Sequence, residues 1–437
     1  MPKKKPAASH ATPETFDAES LDFDDNWQRS SWRSRLRQRL LAWFDVHARS
    51  MPWRSDPQPY KVWVSEIMLQ QTQVATVMPY FHRWMEAFPD IQSLAAADID
   101  ELMRHWEGLG YYRRVKSMHA AAQQIVDQHG GQFPADYDSV LALPGVGRYT
   151  AGAVLSISGD ARLPVLEGNT QRVYSRWIGL RQTPTDKQAN KLLWHFAETM
   201  LPQAESGRFN QAAMELGALV CTPRQPKCET CPVRSACSAA KHALQDVIPG
   251  KIKRLEYQDR TEFALIVSRP PKSVTTAANG QQKIKKRAVS QTGANTQTGE
   301  QEFLVRPLPD GGRWAGLWDF PRLTDAEMES VDHAAHWLSK QLETPLMAGV
   351  RLATIRHAVT KYRISLHVHQ VLCRAEEQSS RQRLADIKPP GILALDPPEP
   401  WNWKSLKELE ELPMSVSGRK IVRHLQTQQQ SFLPLAE

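Results

Sequence analysis

The spacing of apolar residues changes once along this chain, and the change limits the folds that the chain can adopt. From about residue 29 to residue 238, apolar side chains recur every three or four residues, which is the period of an amphipathic α-helix. After residue 258, the segments TEFALIVS, QEFLVRPL, GVRLATIRHAV and YRISLHVHQVLC alternate or run apolar like β-strands. The sequence therefore predicts a multi-domain protein, with an all-helical domain followed by an α+β domain.

The predicted boundaries follow this change of pattern in a chain of 437 residues, which is long enough for two cores. We expect a disordered tail (1–29), the helical domain (30–238), a connector (239–258), the α+β domain (259–427) with a polar, disordered insertion (about 270–300), and a C-terminal tail (428–437). The predicted helices of the first domain span about residues 31–48, 60–70, 73–87, 98–106, 112–129, 136–142, 148–158, 170–178, 187–200 and 207–219.

The overall charge favours an anionic partner. The formal net charge is +8 and the isoelectric point is about 9.2.

No stretch approaches the roughly 18 apolar residues of a membrane span, and the N-terminal residues lack the apolar core of a signal peptide. We expect a cytoplasmic protein that makes no membrane contact.

Four of the five cysteines lie close together in the sequence. Cys221, Cys228, Cys231 and Cys237 have the spacing C-x6-C-x2-C-x5-C. A compact loop with one CxxC pair flanked by single cysteines suits four thiolates around an iron–sulfur cubane. Zinc is the alternative, although zinc sites usually pair two CxxC-like knuckles across a longer gap. The spacing favours a [4Fe-4S] cluster.

Two segments have features of a phosphate contact. In LPGVGRYTAGA, Gly145, Val146 and Gly147 join two predicted helices, and their backbone N–H groups can bind a phosphate together with the following helix N-terminus. Between the first two clustered cysteines, Arg224 and Lys227 stand in a proline-stiffened loop that can contact phosphates. A plain turn and a solvated loop are the alternatives.

Two carboxylates have unusual surroundings in the sequence. Glu66 lies among Trp63, Val64 and Ile67, so it is either on the outer face of its helix or buried, where its pKa would rise towards the range of a general acid. Glu167 ends an apolar run before a Gly-Asn pair and a new helix. It is either a helix cap or a reacting carboxylate.

Together these motifs resemble those of the helix-hairpin-helix DNA glycosylases related to endonuclease III, and among them the MutY family of adenine DNA glycosylases. The segments that carry the resemblance are VWVSEIMLQQTQV, GLGYYRR, LPGVGRYTAGA, FNQAAMELGALVC and the cysteine loop, within residues 32–238. GGRWAGLWDFP at 311–321 is similar to a stretch of the family's Nudix-like C-terminal domain. The implied fold is a helix-hairpin-helix glycosylase domain with an iron–sulfur loop, followed by a Nudix-like domain.

The resemblance implies a monomeric, monofunctional glycosylase that acts on double-stranded DNA, at the nucleoid of a bacterial cytoplasm. Enzymes of this family flip adenine mispaired with 8-oxoguanine or guanine out of the helix and hydrolyse its N-glycosidic bond. Tyr149 stands where endonuclease III has a nucleophilic lysine, and tyrosine cannot form a Schiff base. Little or no strand cleavage is therefore expected. The alternatives are an endonuclease III-like lyase and a lesion sensor that has lost its chemistry.

The resemblance also implies catalytic roles. Glu66 matches the general acid that protonates adenine N7, and Glu167 matches the carboxylate that stabilises the sugar cation or bonds to it transiently. The family usually has Asp at the second position, and a shift of about 1 Å in a reacting group can cost on the order of a hundredfold in rate. Asn169 would hydrogen-bond Glu167, and Tyr149 would donate to the two acids.

Further residues match DNA-contacting positions of the family. They are Trp53, Arg54 and Gln211 in the adenine pocket, Gln71 and Thr72 facing 8-oxoguanine, and Leu109 and Tyr111 in the wedge that enters the base stack. Tyr112 is expected to be a core residue.

The second domain departs more from the family pattern. Val359, Thr360 and Lys361 stand where the family commonly has a Phe-Ser-His loop that senses 8-oxoguanine. Thr360 can replace Ser as a hydrogen-bonding partner, whereas Lys361 is not a conservative substitute for His. Because the sequence has no Nudix box of clustered glutamates, we expect this domain to recognise the lesion and not to hydrolyse nucleotides.

Overall fold

Helices build the first half of the chain and strands follow residue 257 in the computed structural model, which describes residues 17, 19–251, 256–269, 300–312, 314–323, 330–373 and 399–430. The chain divides into two units. The first unit comprises residues 1–99 and 111–254, and the second comprises residues 100–110 and 255–437. The predicted fold class is confirmed. None of the described helices is long and apolar enough to cross a membrane.

The described residues form helices and strands with the following bounds. The α-helices are α1 (Ser30–His47), α2 (Pro52–Ser55), α3 (Pro59–Leu69), α4 (Val74–Ala87), α5 (Ile91–Ala96), α6 (Ile99–His105), α7 (Arg113–His129), α8 (Tyr137–Leu141), α9 (Arg148–Gly159), α10 (Gly168–Ile178), α11 (Lys187–Met200), α12 (Ser206–Leu219), α13 (Ser238–Lys241), α14 (Val331–Gln341), α15 (Leu406–Glu411) and α16 (Val416–Gln430). Short 3-10 helices lie at Asn26–Gln28, Cys228–Thr230 and Arg234–Ala236. The strands are β1 (Gln258–Ile266), β2 (Ser268–Arg269), β3 (Glu302–Pro307), β4 (Trp318–Asp319), β5 (Arg322–Leu323), β6 (Leu346–Val359), β7 (Tyr362–Cys373) and β8 (Asn402–Ser405).

Helix α3 is enclosed on every side. It begins at Pro59, whose fixed φ suits a first helical turn. Residues 60–68 are buried except for Lys61, so the helix must be covered by neighbours all around. It packs against α2, α4 and α9. This packing takes Ser65 and Glu66 out of water together with the apolar side chains.

Close contacts at two glycines bring α9, α12 and the segment before α10 together. A Cβ at Gly207 of α12 would lie 2.0 Å from the carbonyl oxygen of Ser156, so no larger residue fits there. A Cβ at Gly152 of α9 would lie 2.5 Å from the carbonyl oxygen of Pro164. The segment between α9 and α10 (residues 160–167) therefore passes directly over α9 and ends with Glu167 at the N-terminus of α10.

Part of the predicted N-terminal tail is ordered. Trp27 is buried and makes edge-on ring contacts with His195 and Phe196, at centroid distances of 5.7 and 5.4 Å. The backbone N–H of Asp24 donates to the carbonyl oxygen of Ile178 at 2.7 Å. The prediction of disorder as far as residue 29 is wrong for these residues, because a tryptophan buries a large apolar area. Residues 1–16 lie outside the described residues.

The second unit is a layered α+β structure. One described sheet has the strand order β5-β1-β7-β6, with β1 and β7 parallel and the other pairs antiparallel. In the other sheet, β3 pairs with β2, β4 and β8. Side chains alternate between the faces of β1, so that Phe263 and Leu265 pack with α14 while Ala264 and Ile266 pack with α15 and α16.

Two of the predicted segments in this unit lie mostly outside the described residues. The insertion predicted at about 270–300 lies outside the described residues except for residue 300. Helix α16 continues to Gln430, past the predicted start of the C-terminal tail at 428, and residues 431–437 are outside the described part of the chain.

Residues 100–110 join the second unit through ion pairs. Arg419 of α16 donates through Nε to Oε1 of Glu107 and through Nη2 to Oε2, at 2.8 Å each. Arg104 pairs with Glu411 at 2.7 Å. Glu107 and Arg419 are 312 positions apart, so a local sequence pattern could not reveal this contact.

We predict that Glu107 and Arg419 are energetically coupled. Arg419→Met and Glu107→Gln should each lower the free energy of unfolding by about 1–3 kcal/mol, because each removes one charge of a partly buried ion pair. The double variant should lose at least about 0.5 kcal/mol less than the sum of the two single variants. Equilibrium urea unfolding measures all three differences.

The pair Lys404–Glu408, which is more exposed than Arg419–Glu107, provides the control for this experiment. Lys404→Met should change stability by less than about 0.5 kcal/mol. Additive losses at Glu107 and Arg419 would contradict the coupling.

Candidate active site

Glu66 is a buried acid, so the outer-face alternative for this residue is wrong. Its side chain lies within the packing of α3 and only 3% of the residue is exposed. The Tyr149 hydroxyl donates a hydrogen bond to its Oε2 atom. Burial raises the pKa of Glu66 to about 7, and the charge of Glu167 adds to the rise while Tyr149 and Arg54 oppose it. A carboxyl group with this pKa is substantially protonated at neutral pH and can act as a general acid.

Glu167 is the N-cap of α10 and also part of the site. Its carboxylate accepts hydrogen bonds from the backbone N–H groups of Asn169 at 2.8 Å and Thr170 at 2.9 Å. Burial raises the pKa of Glu167, although these two backbone hydrogen bonds oppose the rise. The two sequence alternatives are therefore compatible, because the capping carboxylate also lies close enough to Glu66 to raise its pKa.

Tyr149 lies in the first turn of α9, directly after the Gly-Val-Gly turn. Burial, together with the charges of Glu66 and Glu167, raises its pKa well above the usual range of a tyrosine. The hydroxyl is therefore neutral and serves as a donor. The predicted hydrogen bond to Glu66 is present, but a hydroxyl group has one proton to donate, so the predicted donation to Glu167 as well is wrong.

The turn before α9 has the predicted helix–turn–helix geometry. Gly145 has φ +76°, and a Cβ there would lie 2.6 Å from the Cβ of Ser117. Gly147 is the N-cap of α9. Val146 is buried, and its N–H donates within the turn to the carbonyl oxygen of Leu143 at 3.1 Å. Val146 is therefore an incorrect choice as a phosphate donor, while phosphate binding by Gly145 and Gly147 stays a prediction.

The three residues predicted for the adenine pocket have different surroundings. Arg54 acts electrostatically on Glu66 and donates from Nε to Oε1 of Gln211 at 3.0 Å. Because Arg54 can only donate, the Gln211 amide oxygen faces it and the amide NH₂ points elsewhere. Trp53 is buried, with its ring 5.0 Å from the ring of Phe81.

Glu215 holds this part of the site and was missed in the sequence analysis. The residue is 1% exposed and accepts from Arg49 Nε and Nη2 at 2.8 and 2.9 Å, and from Arg54 Nη2 at 3.2 Å. Burial acts to raise the pKa of Glu215, but the arginines outweigh it and hold the pKa at about 2. Its position four residues after Gln211 on α12, in a mostly apolar stretch, is the signal that could have identified it.

A cavity of about 300 Å³ lies beside the residues predicted to face the partner strand, and Gln71 and Tyr111 are among those that line it. Both have left-handed backbone conformations, with φ of 60° and 48°, which are strained for non-glycine residues. Tyr111 is 56% exposed, whereas Leu109 is 5% exposed. The prediction that Leu109 forms part of a surface wedge is wrong for this structure, because its side chain is covered. Thr72 is half-buried beside Gln71.

Arg114 connects these elements and was also missed. Its Nη1 donates to the carbonyl oxygens of Ile67 and Gln70 at 2.7 Å each, at the end of α3. Its guanidinium lies 5.6 Å from the ring centroid of Tyr111. Burial lowers the pKa of Arg114 to about 10, so the group stays charged at neutral pH. The neighbouring Tyr112 is buried, as expected.

The four clustered cysteines line one small cavity of about 20 Å³. Burial raises the pKa of two of these thiols to about 11 (Cys231) and about 12 (Cys237). Arg176, which is 2% exposed, directs Nη1 towards Cys221 Sγ at 3.3 Å. Among the described residues, no three Cys, His, Asp or Glu side chains are arranged to hold a single metal ion.

Arg172 links the cysteine loop to the acids. Its Nε donates to the carbonyl oxygen of Cys221 at 2.8 Å, and its Nη2 donates to Asn169 Oδ1 at 2.8 Å and to the carbonyl oxygen of Gly217 at 2.9 Å. Asn169 in turn bonds Glu167 through its backbone N–H. The loop and the catalytic helix N-terminus are thus connected by one side chain.

The remaining predicted contact residues are exposed. Arg224 and Lys227 lie on the surface of the cysteine loop. In the second unit, Thr360 and Lys361 form the tip of the β6–β7 hairpin, where Thr360 has φ +51° and donates to the carbonyl oxygen of Val359 at 2.7 Å. Their DNA contacts stay predictions.

Comparison with known proteins identifies relatives over nearly the whole chain. Residues 64–199 match the family model described as HhH-GPD superfamily base excision DNA repair protein, and residues 295–424 match the NUDIX domain model. The chain is 35% identical over 410 residues to adenine DNA glycosylase of Mus musculus, covering 89% of this chain and 77% of that protein. It is 34% identical over 422 residues to the Homo sapiens protein of that name (90% and 74%) and 31% identical over 430 residues to the Schizosaccharomyces pombe one (89% and 89%).

We predict that Glu66 makes the stability of the protein depend on pH. Its pKa rises from an ordinary 4.5 to about 7, so the folded state holds the proton more tightly than the unfolded state. The stabilisation is complete below about pH 4.5 and is lost as pH rises through about 7. Between pH 5 and pH 8, Glu66→Gln should therefore gain about 2–3 kcal/mol of unfolding free energy relative to the parent.

Urea unfolding at the two pH values measures this difference. Glu205→Gln removes an exposed carboxylate and should show the same pH dependence as the parent. A constant difference between Glu66→Gln and the parent would mean that Glu66 has an ordinary pKa.

Proposed function

The chain belongs to the adenine DNA glycosylases, which excise adenine in base excision DNA repair, and we propose that it removes adenine opposite 8-oxoguanine or guanine in double-stranded DNA. It acts as a monomer in the cytoplasm and leaves the DNA strand intact. The observation that carries the proposal is the buried Glu66, whose pKa is about 7 and which accepts a hydrogen bond from Tyr149 beside Glu167.

Adenine must first leave the base stack, which costs a few kcal/mol. Tyr111 is exposed on a strained loop next to Gln71 and the cavity, and Arg114 fixes that loop to the end of α3. An aromatic side chain inserted between bases stabilises the opened duplex. Tyr111 is therefore the proposed wedge, and Gln71 and Thr72 contact the base that stays in the helix.

Glu66 then acts as the general acid. Because Tyr149 donates to Oε2, Oε1 is the oxygen that carries the proton to adenine N7. The bond between sugar C1′ and N9 breaks, its electron pair leaves with the protonated purine, and adenine departs as a neutral molecule. The sugar becomes an oxocarbenium ion. Water adds to C1′ and releases one proton, which restores Glu66 and leaves an abasic site.

Glu167 stabilises the sugar cation. Its negative charge is held by two backbone N–H groups at the N-terminus of α10. A carboxylate oxygen that already accepts such hydrogen bonds is a weaker nucleophile, which favours electrostatic stabilisation over a covalent bond to the sugar. The same bonds fix the longer Glu side chain where the family usually has Asp.

Tyr149 distinguishes this reaction from that of a lyase. Strand cleavage through a Schiff base needs an amine, and the Tyr149 hydroxyl is engaged with Glu66. The buried, hydrogen-bonded acid likewise argues against a lesion sensor without chemistry.

The cysteine loop suits a [4Fe-4S] cluster. Cys221, Cys228, Cys231 and Cys237 would hold it, with the buried Arg176 as a cation beside the anionic cluster. When bound, the cluster supplies a rigid cross-link within the loop. Arg172 connects that loop to Asn169, and the exposed Arg224 and Lys227 contact DNA phosphates together with Gly145 and Gly147.

The second unit recognises the oxidised base. Thr360 and Lys361 are exposed at a hairpin tip and offer a hydroxyl and an ammonium group to the lesion. The sequence has no Nudix box of clustered glutamates, which would hold the metal ions that hydrolysis of a nucleotide diphosphate needs. The proposed role of this domain is therefore that of a reader.

We predict that the protein generates abasic sites at adenine. Duplexes with one A:8-oxoguanine, A:G or A:T pair are incubated with the protein, and strand breaks are measured with and without alkali. The first two duplexes should break at the adenine strand only after alkali. Glu66→Gln should reduce the rate by at least about 100-fold while binding is retained.

Other outcomes of this assay have definite meanings. Breaks without alkali would indicate a lyase, and tight binding without breaks would indicate a lesion sensor. Full activity of Glu66→Gln would exclude Glu66 as the acid.

We predict four iron and four sulfide ions per chain in protein purified without oxygen. Metal and acid-labile sulfide analysis, with absorbance from thiolate-to-iron charge transfer, measures them. Cys228→Ser should lower iron content and absorbance together. Stoichiometric zinc without iron would contradict the cluster assignment.

A further inference from the structure

We infer that Glu215 is a positioning residue for the reaction proposed above: it holds the Arg54 guanidinium against Gln211 and thereby keeps this cation from forming an ion pair with Glu66. The inference rests on the proposed function, because it assigns Glu215 a role in keeping the general acid protonated.

Arg54 is bound on three sides. Its Nε donates to Gln211 Oε1 at 3.0 Å, its Nη1 to the carbonyl oxygen of Arg49 at 2.8 Å, and its Nη2 to Glu215 Oε2 at 3.2 Å. Of these acceptors, only Glu215 carries a charge. The charge of Glu215 therefore attracts the Arg54 guanidinium to the side of Gln211 and away from Glu66.

Glu215 is itself fixed by Arg49. The Arg49 backbone N–H and Nε donate to Oε1 at 3.0 and 2.8 Å, and Nη2 donates to Oε2 at 2.9 Å. The pKa of Glu215 is held at about 2, so the carboxylate is ionised throughout the working range of the enzyme. One buried carboxylate is thus shared by two arginines, Arg49 and Arg54.

Three ionisable groups act on Glu66 from the elements around α3. They are Arg54 of α2, Tyr149 of α9, and Glu167 before α10. Arg54 is the cation among them, and its charge already lowers the pKa of Glu66 in part. Without the charge of Glu215, Arg54 would turn towards Glu66, which is also a buried carboxyl group. A direct ion pair lowers the pKa of a carboxyl group by about 1–3 units.

The test is the pH dependence of single-turnover adenine release by the full protein. In the parent, the rate should fall above pH about 7 as Glu66 loses its proton. Glu215→Gln keeps the shape of the side chain but removes the charge. It should move this falling limb about one unit or more to lower pH, with a loss of roughly tenfold at pH 8 and little change at pH 5.

Two variants provide matched comparisons. Glu215→Asp keeps the charge, so its limb should stay near that of the parent even if the maximum rate falls. Glu205→Gln makes the same chemical change at the exposed N-terminus of the same helix and should leave the profile unchanged.

If Glu215→Gln does not fold, the double variant Glu215→Gln/Arg49→Leu removes one of the two cations that Glu215 binds and should show the same shift.

An unmoved limb with a lower maximum rate in the Glu215→Gln variant would mean that Glu215 is merely structural, and would overturn the inference. Failure of the proposed function has a different signature, because the parent protein would then release no adenine from any of the duplexes.

Discussion

The hydrogen bond from Tyr149 to the buried carboxyl group of Glu66 is the interaction on which the candidate active site depends. A carboxyl group enclosed by α3, α9 and their neighbours would be costly without a partner, and Tyr149 supplies one without adding charge. The same enclosure raises the pKa of Glu66 to about 7. The packing that builds the helical core therefore also produces the acid. Gly207 contributes to this arrangement because it lets α12 approach α9 closely.

Arginines connect this acid to the rest of the first unit. Arg54 joins Gln211 to Glu215, Arg114 ties the end of α3 to the Tyr111 loop, and Arg172 joins Asn169 to the cysteine loop. Each guanidinium offers several donors in a fixed plane, so one side chain can bridge two or three elements. Much of the geometry of the site is thus set by side chains that take no part in the chemistry. Displacing one of these arginines would therefore alter the geometry of the site, although the arginine itself does not react.

The sequence predicted the elements of the first unit well, because long helices with one buried face leave a clear period. The predicted helices have ends within about two residues of the observed ones, as for 187–200, and the short α2, α5 and α13 were missed. The two acids stood out by their sequence surroundings, and their roles and that of Tyr149 came from the family resemblance. Glu215 and Arg114 were not found, since their partners lie far away in the sequence. The burial of Trp27 and Leu109 likewise depends on tertiary packing, and the grouping of residues 100–110 with the second unit depends on an ion pair to Arg419.

The central claim is that Glu66 carries a proton near neutral pH in the folded protein. Infrared difference spectroscopy of the DNA-free protein, with the spectrum of Glu66→Gln subtracted from that of the parent, measures this proton directly. We predict a protonated carboxyl band at pH 6 that gives way to a carboxylate band by pH 8, with a midpoint near pH 7. A carboxylate band at both pH values would contradict the account.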